Sequence, residues 1–256
     1  MPDLRVAGRT VHVVAPRDFQ KPQGHVILLV HGAYDDHRYW QHLIDPLARA
    51  HTPIAVDLPG RGGSEGPPLD SAIGYRRFFA ALVETLALPP FVFFGHSMGG
   101  SMAVDFAIHH GQRVKAIIPL SSAPRWSISD DEIASWDGDT DKAYRDNLPF
   151  LFAKSTSPAI RDAYDRQLRA TPPLTCKADI ANCRTFDLAG QLASVSCPTL
   201  VVVGDEEYWH EGSDALHAGI KGAKRALIPA AGHAIALEQP RAVLAAVEPF
   251  LAQLPR

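Results

Sequence analysis

Short stretches that are apolar at almost every position alternate along the chain with longer stretches of helical patterning. The short runs are Thr10–Val14, Val26–Val30, Ile54–Val56, Phe91–Phe94, Ala116–Leu120, Leu200–Val203 and Ala226–Ile228. Uniformly apolar runs rich in β-branched and aromatic residues suit strands covered on both faces of a parallel sheet. Between them, Tyr39–Ala50, Ala72–Ala87, Met98–His110, Gly212–Ala218 and Arg241–Leu254 read as helices. The alternation predicts βαβ units and a doubly wound, mostly parallel sheet, an α/β fold. Leu4–Val14 is expected to add a strand or two as an antiparallel edge.

One stretch interrupts the rhythm. Residues 125–192 hold no clear strand, are rich in Asp, Ser and Pro, and carry helical pieces near Asp130–Trp136, Tyr144–Phe152 and Ala159–Arg169. This reads as a helical insertion between two strands; the plainer reading is a long helical crossover. Ligand sites of open α/β sheets lie beyond the carboxyl ends of the strands, so the insertion is expected to be a lid. The organisation expected is a core domain of residues 1–124 and 193–256 with a helical lid at 125–192.

Composition narrows the class. The 256 residues contain 25 Lys and Arg against 28 Asp and Glu, a net charge of −3, which disfavours a nucleic-acid binder. Hydrophobic residues at 46% and charged residues at 21% are ordinary for a globular protein. Cys176, Cys183 and Cys197 match neither a disulfide framework nor zinc spacing and are expected to be reduced thiols. Met1–Arg5 lacks the charged and apolar regions of a signal peptide. The longest apolar runs fall far short of the about 20 residues a membrane span needs. A cytoplasmic protein without membrane contact is the expectation, and nothing in the sequence singles out an oligomeric interface.

Candidate chemistry begins where the run Phe91–Phe94 enters Gly95-His96-Ser97-Met98-Gly99-Gly100 and a helical pattern follows at once. A serine hydroxyl is a weak nucleophile and must be presented to a base. A sharp strand-to-helix turn would push Ser97 outward, and Gly95 and Gly99 allow the chain to turn that tightly. The amide of Met98 would then sit at a helix N-terminus and could donate to an oxyanion. The run Val26–Val30 ends in His31-Gly32-Ala33-Tyr34, where Ala33 is the candidate second oxyanion donor and His31 a brace for the loop. Among twelve histidines, His233 stands out because it follows the last strand, in Ala230-Ala231-Gly232-His233-Ala234. The run Leu200–Val203 ends in Gly204-Asp205-Glu206-Glu207, three carboxylates that lie between the serine and the histidine in the chain. One of them would orient the imidazole and stabilise its charged form.

These motifs resemble the α/β-hydrolase fold superfamily, in its small serine esterase (carboxylesterase-like) branch. The resemblance rests on His31-Gly32, on Asp57-Leu58-Pro59-Gly60-Arg61-Gly62-Gly63-Ser64, on Gly95 to Gly100, on the turn at Gly204 and on Gly232-His233. It spans residues 24–122 and 196–254, while 125–192 match only as a variable cap. In many relatives the turn reads G-x-x-D; here that position holds Glu207, which the resemblance makes the acid, with Asp205 as second choice. The D-L-P-G-x-G-x-S segment is a structural turn in this family, so Asp57 and Ser64 are not counted as catalytic.

The resemblance implies two-step acyl transfer: Ser97 attacks an ester carbonyl, His233 takes its proton, and the amides of Ala33 and Met98 hold the oxyanion. No metal and no organic cofactor is expected, and no Walker or dinucleotide glycine motif follows a strand. Tyr34, Trp126 and Trp136 are candidates to line an acyl pocket, although aromatics there also serve as a lid's own core. The expected partner is a small or medium ester, thioester or lactone. A carbon–carbon bond hydrolase could use the same triad, but such relatives often place Asn where this chain has His96. Ser97 argues against dehalogenase and epoxide-hydrolase chemistry, which uses Asp. A receptor on the same fold would bind without turnover.

Overall fold

The structure is a computed structural model, and it describes residues 4–255. Met1–Asp3, part of the segment read for a leader, lie outside the described residues, as does Arg256. Among the described residues nine strands form: β1 Leu4–Val6, β2 Arg9–Val11, β3 Val13–Val14, β4 Val26–Val30, β5 Thr52–Val56, β6 Phe91–His96, β7 Val114–Leu120, β8 Leu200–Gly204 and β9 Lys224–Ile228. Seven make one sheet in the order β3-β5-β4-β6-β7-β8-β9, parallel throughout except for β3. The helices are α1 Ile44–Leu47, α2 Ala72–Thr85, α3 Met98–His110, α4 Asp130–Ala134, α5 Thr140–Asn147, α6 Pro158–Leu168, α7 Pro173–Cys183, α8 His210–Gly219, α9 Ile235–Glu238 and α10 Pro240–Ala252.

The uniformly apolar runs are explained by a core on each face of the sheet. Ile27 and Leu29 of β4 and Val92 and Phe94 of β6 pack on one side with Trp40, Val243 and Leu251. Leu28, Val30, Phe91 and Phe93 point the other way, against Phe79 of α2 and Phe106 of α3. Successive residues of a strand face opposite sides, so a strand buried twice must be apolar twice.

Three expectations change. β1 and β2 do not join the main sheet. They form their own antiparallel hairpin, reversed by Ala7 and Gly8 at φ 48° and 82°, and only β3 supplies the antiparallel edge. The helix expected over Tyr39–Ala50 is broken into a 3-10 turn, His37–Trp40, and the single turn α1. Pro46 has no amide to donate and its ring would collide with the carbonyl four residues earlier, so a helix can start there but not run through. Within 125–192, α7 was not anticipated; its buried polar residues Thr175, Asp179 and Asn182 mask an apolar stripe. The piece expected at Tyr144–Phe152 starts earlier, as α5, where the Asp139 side chain accepts from Lys142 N at 3.0 Å. An isolated bridge, Arg125 to Asp187, is the strand-like pairing of this segment. Among the described residues no helix is long and apolar enough to cross a membrane.

The β6–α3 junction has no room for side chains at its glycines. A Cβ on Gly95 would lie 2.1 Å from Gly99 O, and one on Gly99 would lie 2.4 Å from Val30 O. Both obstacles are backbone, which cannot swing aside. Gly99→Ala is therefore expected to destabilise the protein by about 3 kcal/mol or more, at the upper end of overpacking costs. Gly190→Ala, where a Cβ would meet nothing within 4 Å, should be nearly neutral. Denaturant unfolding of the two variants checks the contrast.

Candidate active site

Ser97 sits between β6 and α3 at φ 51° and ψ −118°, a backbone conformation that is costly for a residue with a Cβ. The turn is held on both sides: Ser97 N donates to Leu120 O at 2.9 Å, and Ser97 O accepts from Ser122 Oγ at 2.7 Å. Met98 opens α3, so its amide belongs to the first turn, where helix amides have no partner within the helix. Ser97 and His233 both line a cavity of about 420 Å³ at the carboxyl ends of the strands, together with Ala33, Tyr34, Trp126 and Trp209.

The three carboxylates after β8 separate by their partners. Glu207 is buried, and His233 Nδ1 lies 2.9 Å from Glu207 Oε2 and 3.1 Å from Oε1. Glu207 Oε1 also accepts from Trp209 N at 3.0 Å. Burial pushes the Glu207 carboxyl up, but His233 and the Trp209 amide outweigh it and hold the group below its ordinary range. Glu206 instead accepts from Lys154 N at 2.9 Å, and Asp205, exposed, lies 3.4 Å from Ala231 N. The loops that bring Glu207 to His233 touch closely: a Cβ on Gly204 would lie 2.0 Å from Ala231 O. His96, next to Ser97, donates from Nε2 to the His233 carbonyl at 3.0 Å, and Tyr39 stacks on its ring at 4.0 Å. Burial drives the His96 imidazole far below its usual range, so it is neutral.

The loop after β4 is fixed from two directions. From the core, His31 Nδ1 donates to Gly32 O at 2.8 Å and its Nε2 accepts from Leu58 N at 3.1 Å. From residues 125–192, Asp179 Oδ2 accepts from Tyr34 N at 2.9 Å and Thr171 Oγ1 donates to Tyr34 O at 2.6 Å. Tyr164 OH and Gln167 Nε2 donate to the buried Asp35 at 2.5 and 3.0 Å. Asp179 is itself paired with Arg61 of the D-L-P-G turn, with Arg61 Nη2 2.6 Å from Oδ1, and both side chains are fully buried. Burial alone would lower the Arg61 guanidinium, and Asp179 more than reverses it.

Of the aromatics expected at the pocket, Tyr34 and Trp126 line the cavity, and Trp126 Nε1 donates to Ser101 Oγ at 2.9 Å. Trp136 does not line it. Its ring is buried between Tyr34, at 5.1 Å, and Tyr144, at 4.9 Å, so it packs the helical segment onto the loop instead. Sequence reasoning missed Arg61, Thr171, Asp179 and Glu238. Glu238 accepts from Ala153 N at 2.7 Å and Gly232 N at 2.9 Å, tying the histidine loop to the helical segment. None carries a local signal; the Arg61–Asp179 contact spans 118 positions. Among the described residues one group, His12, His37 and Asp57, offers several metal-ligand atoms, and it lies outside the cavity.

The profile of the Alpha/beta hydrolase family matches residues 27–247. The chain belongs to that family, whose fold its sequence resembles. It is 30% identical over 194 residues to a pimeloyl-[acyl-carrier protein] methyl ester esterase of Legionella pneumophila, covering 71% of this chain and 75% of that protein. It is also 35% identical over 115 residues to an uncharacterized protein of Mycobacterium tuberculosis. That match takes in 44% of this chain and spans about a third (34%) of that relative's length. In three dimensions it is similar to the enol-lactonase from Burkholderia xenovorans LB400, with a TM-score of 0.90 and 19% identity over 98% of this chain and 100% of that one.

Two outcomes follow from the buried groups. Burial lowers the His31 imidazole from 6.5 to about 4. Between those values the unfolded chain binds a proton that the folded chain refuses, so stability falls as pH falls through this window. By pH 4 the cost from His31 is about 3 kcal/mol. Thermal unfolding from pH 7 to 4 should show the decline, shallower in His31→Asn. Asp179→Ala leaves Arg61 buried without its partner and should cost about 3–5 kcal/mol. Denaturant unfolding should show most of that loss recovered in the double variant Arg61→Met/Asp179→Leu.

Proposed function

We propose that the chain is a serine hydrolase that cleaves carboxylic esters, thioesters or lactones of small to medium size through an acyl-enzyme. The observation that carries this reading is the His233–Glu207 hydrogen bond at 2.9 Å beside a cavity that the strained Ser97 also lines. In this reading Ser97 is the nucleophile and His233 the general base, then the general acid for the leaving alcohol. Glu207 holds the imidazole with Nδ1 protonated, which leaves Nε2 for the serine proton, and it stabilises the imidazolium that forms. Water repeats the sequence on the acyl-enzyme.

The oxyanion donors are the amides of Ala33 and Met98. The Tyr34 amide is engaged by Asp179, which supports Ala33 as the donor of its loop. Each such donor is worth about 3–4 kcal/mol of barrier. Residues 125–192 act as a lid over the site and set acyl selectivity through Trp126 and neighbouring apolar side chains. The cavity, about 420 Å³, falls in the range of small-molecule sites and supports a small or medium substrate. The methyl ester esterase and enol-lactonase named among the similar proteins support ester or lactone chemistry. The triad supplies the nucleophile, base and charge stabilisation from the chain's own residues.

Intact mass after incubation with a fluorophosphonate tests the nucleophile. One adduct on the parent protein and none on Ser97→Ala is the expected result. No adduct on folded parent with either this probe or a smaller phosphonate overturns the mechanism in favour of a ligand receptor. In an ester and lactone panel, Glu207→Gln should lower kcat by about 10³–10⁴-fold, the scale of losing the acid of a triad. Asp205→Asn should leave kcat near that of the parent.

A further inference from the structure

Three side chains from distant stretches meet outside the cavity. His12 precedes β3, His37 begins the 3-10 turn after the Ala33–Asp36 loop, and Asp57 directly follows β5. His12 Nδ1 lies 2.8 Å from Asp57 Oδ2, and His37 Nδ1 lies 2.9 Å from Oδ1 and 3.0 Å from Oδ2. The two rings are 4.9 Å apart, tilted by 58°, and the ligand atoms of all three residues fall within 4.8 Å of one another.

The carboxylate does not depend on the imidazoles for its orientation. Asp57 is fully buried and accepts from His37 N at 2.7 Å and Gly63 N at 2.9 Å. Outer hydrogen bonds of this kind hold a ligating carboxylate in place. The turn that follows is cut to fit: a Cβ on Gly62 would lie 2.2 Å from Asp57 Oδ2, and one on Gly63 would lie 2.7 Å from His12 Cγ. Two ligands set at the tetrahedral angle on an ion about 2.1 Å from each are separated by about 3.4 Å. The nitrogen–oxygen distances here, 2.8 to 3.0 Å, are those of hydrogen bonds and lie about half an ångström short of that spacing, so the imidazoles draw back slightly as the ion enters. The imidazole side chains are 40% and 27% exposed, so an ion can arrive from solvent.

We propose that His12, His37 and Asp57 form a binding site for a divalent transition-metal ion of the zinc class, completed by water. Two imidazoles and one carboxylate suit Zn²⁺, Co²⁺ or Ni²⁺ and disfavour Ca²⁺ and Mg²⁺, which take oxygen ligands. The ion takes the place of the Nδ1 hydrogens that now point at Asp57. Each neutral imidazole keeps its proton by carrying it on Nε2, so the exchange balances without a co-reactant. The bound ion joins the entry to β3, the D-L-P-G turn and the end of the Ala33–Asp36 loop. The proposal stands independently of the esterase reading.

Calorimetric titration of the chelator-treated full chain with Zn²⁺, and visible spectra with Co²⁺, test it. Expected are one ion per chain, Co²⁺ ligand-field bands, and a Tm that rises with ion concentration. His12→Gln and His37→Gln should each weaken binding at least as much as the about 10–100-fold typical of losing an outer-shell partner. These two side chains are part-exposed, so the variants should fold even if Asp57→Asn does not. His210→Gln, at an exposed histidine paired with Asp214, should bind like the parent. Absence of saturable binding, or binding that both His12→Gln and His37→Gln retain, overturns the site.

Discussion

The buried pair between Arg61 and Asp179 is the contact on which the geometry of the site depends. A charge removed from water needs a partner close by, and each of these fully buried groups is the other's partner. Asp179 uses the same carboxylate to take the Tyr34 amide, so one side chain joins the turn after β5, the loop after β4 and the helix α7. Thr171 and Asp35 extend the arrangement, binding the Tyr34 carbonyl and the Tyr164 and Gln167 side chains. The loop that carries Ala33 is thereby held by polar contacts on two sides rather than by its own conformation.

The serine turn is rigid for a different reason. Its shape comes from backbone packed against backbone at Gly95, Gly99 and Val30, with the strain at Ser97 sustained by hydrogen bonds to Leu120 and Ser122. The histidine loop is held by a third device, the close approach of Gly204 to Ala231 and the buried Glu238 beneath Gly232. Three independent supports converge on one cavity. Preorganisation of this kind places donors and acceptors before a substrate arrives, which is where electrostatic catalysis gains most.

What the sequence discloses follows the range of the interactions. β4 and β6 are apolar on both faces because both faces are covered, and that shows in the five letters of β4 and the first four of β6. Ser97 and His233 are legible because each stands in a short turn between a strand and a helix. The carboxylate at His233 is harder: Asp205, Glu206 and Glu207 are adjacent, and only the path of the loop decides which reaches the imidazole. Family resemblance pointed to Glu207, the residue hydrogen-bonded there. Trp136 shows the limit of composition, since an aromatic in a helical segment says nothing about which side it turns to. Arg61, Asp179 and Glu238 are silent in sequence because their meaning arises only when residues far apart along the chain are brought together. The hairpin at Ala7 and Gly8 escaped for a simpler reason: three-residue strands carry too few positions for a pattern.

Families of this kind are often described as a constant core carrying an exchangeable module. Here the module is not separable. A graft that replaced α7 would strip Arg61 of its counter-charge and the Tyr34 amide of its acceptor. Any new segment would have to bring its own carboxylate to the same point. Under the proposed function, a change in that segment would alter recognition and rate together, because the segment also holds the loop that carries Ala33.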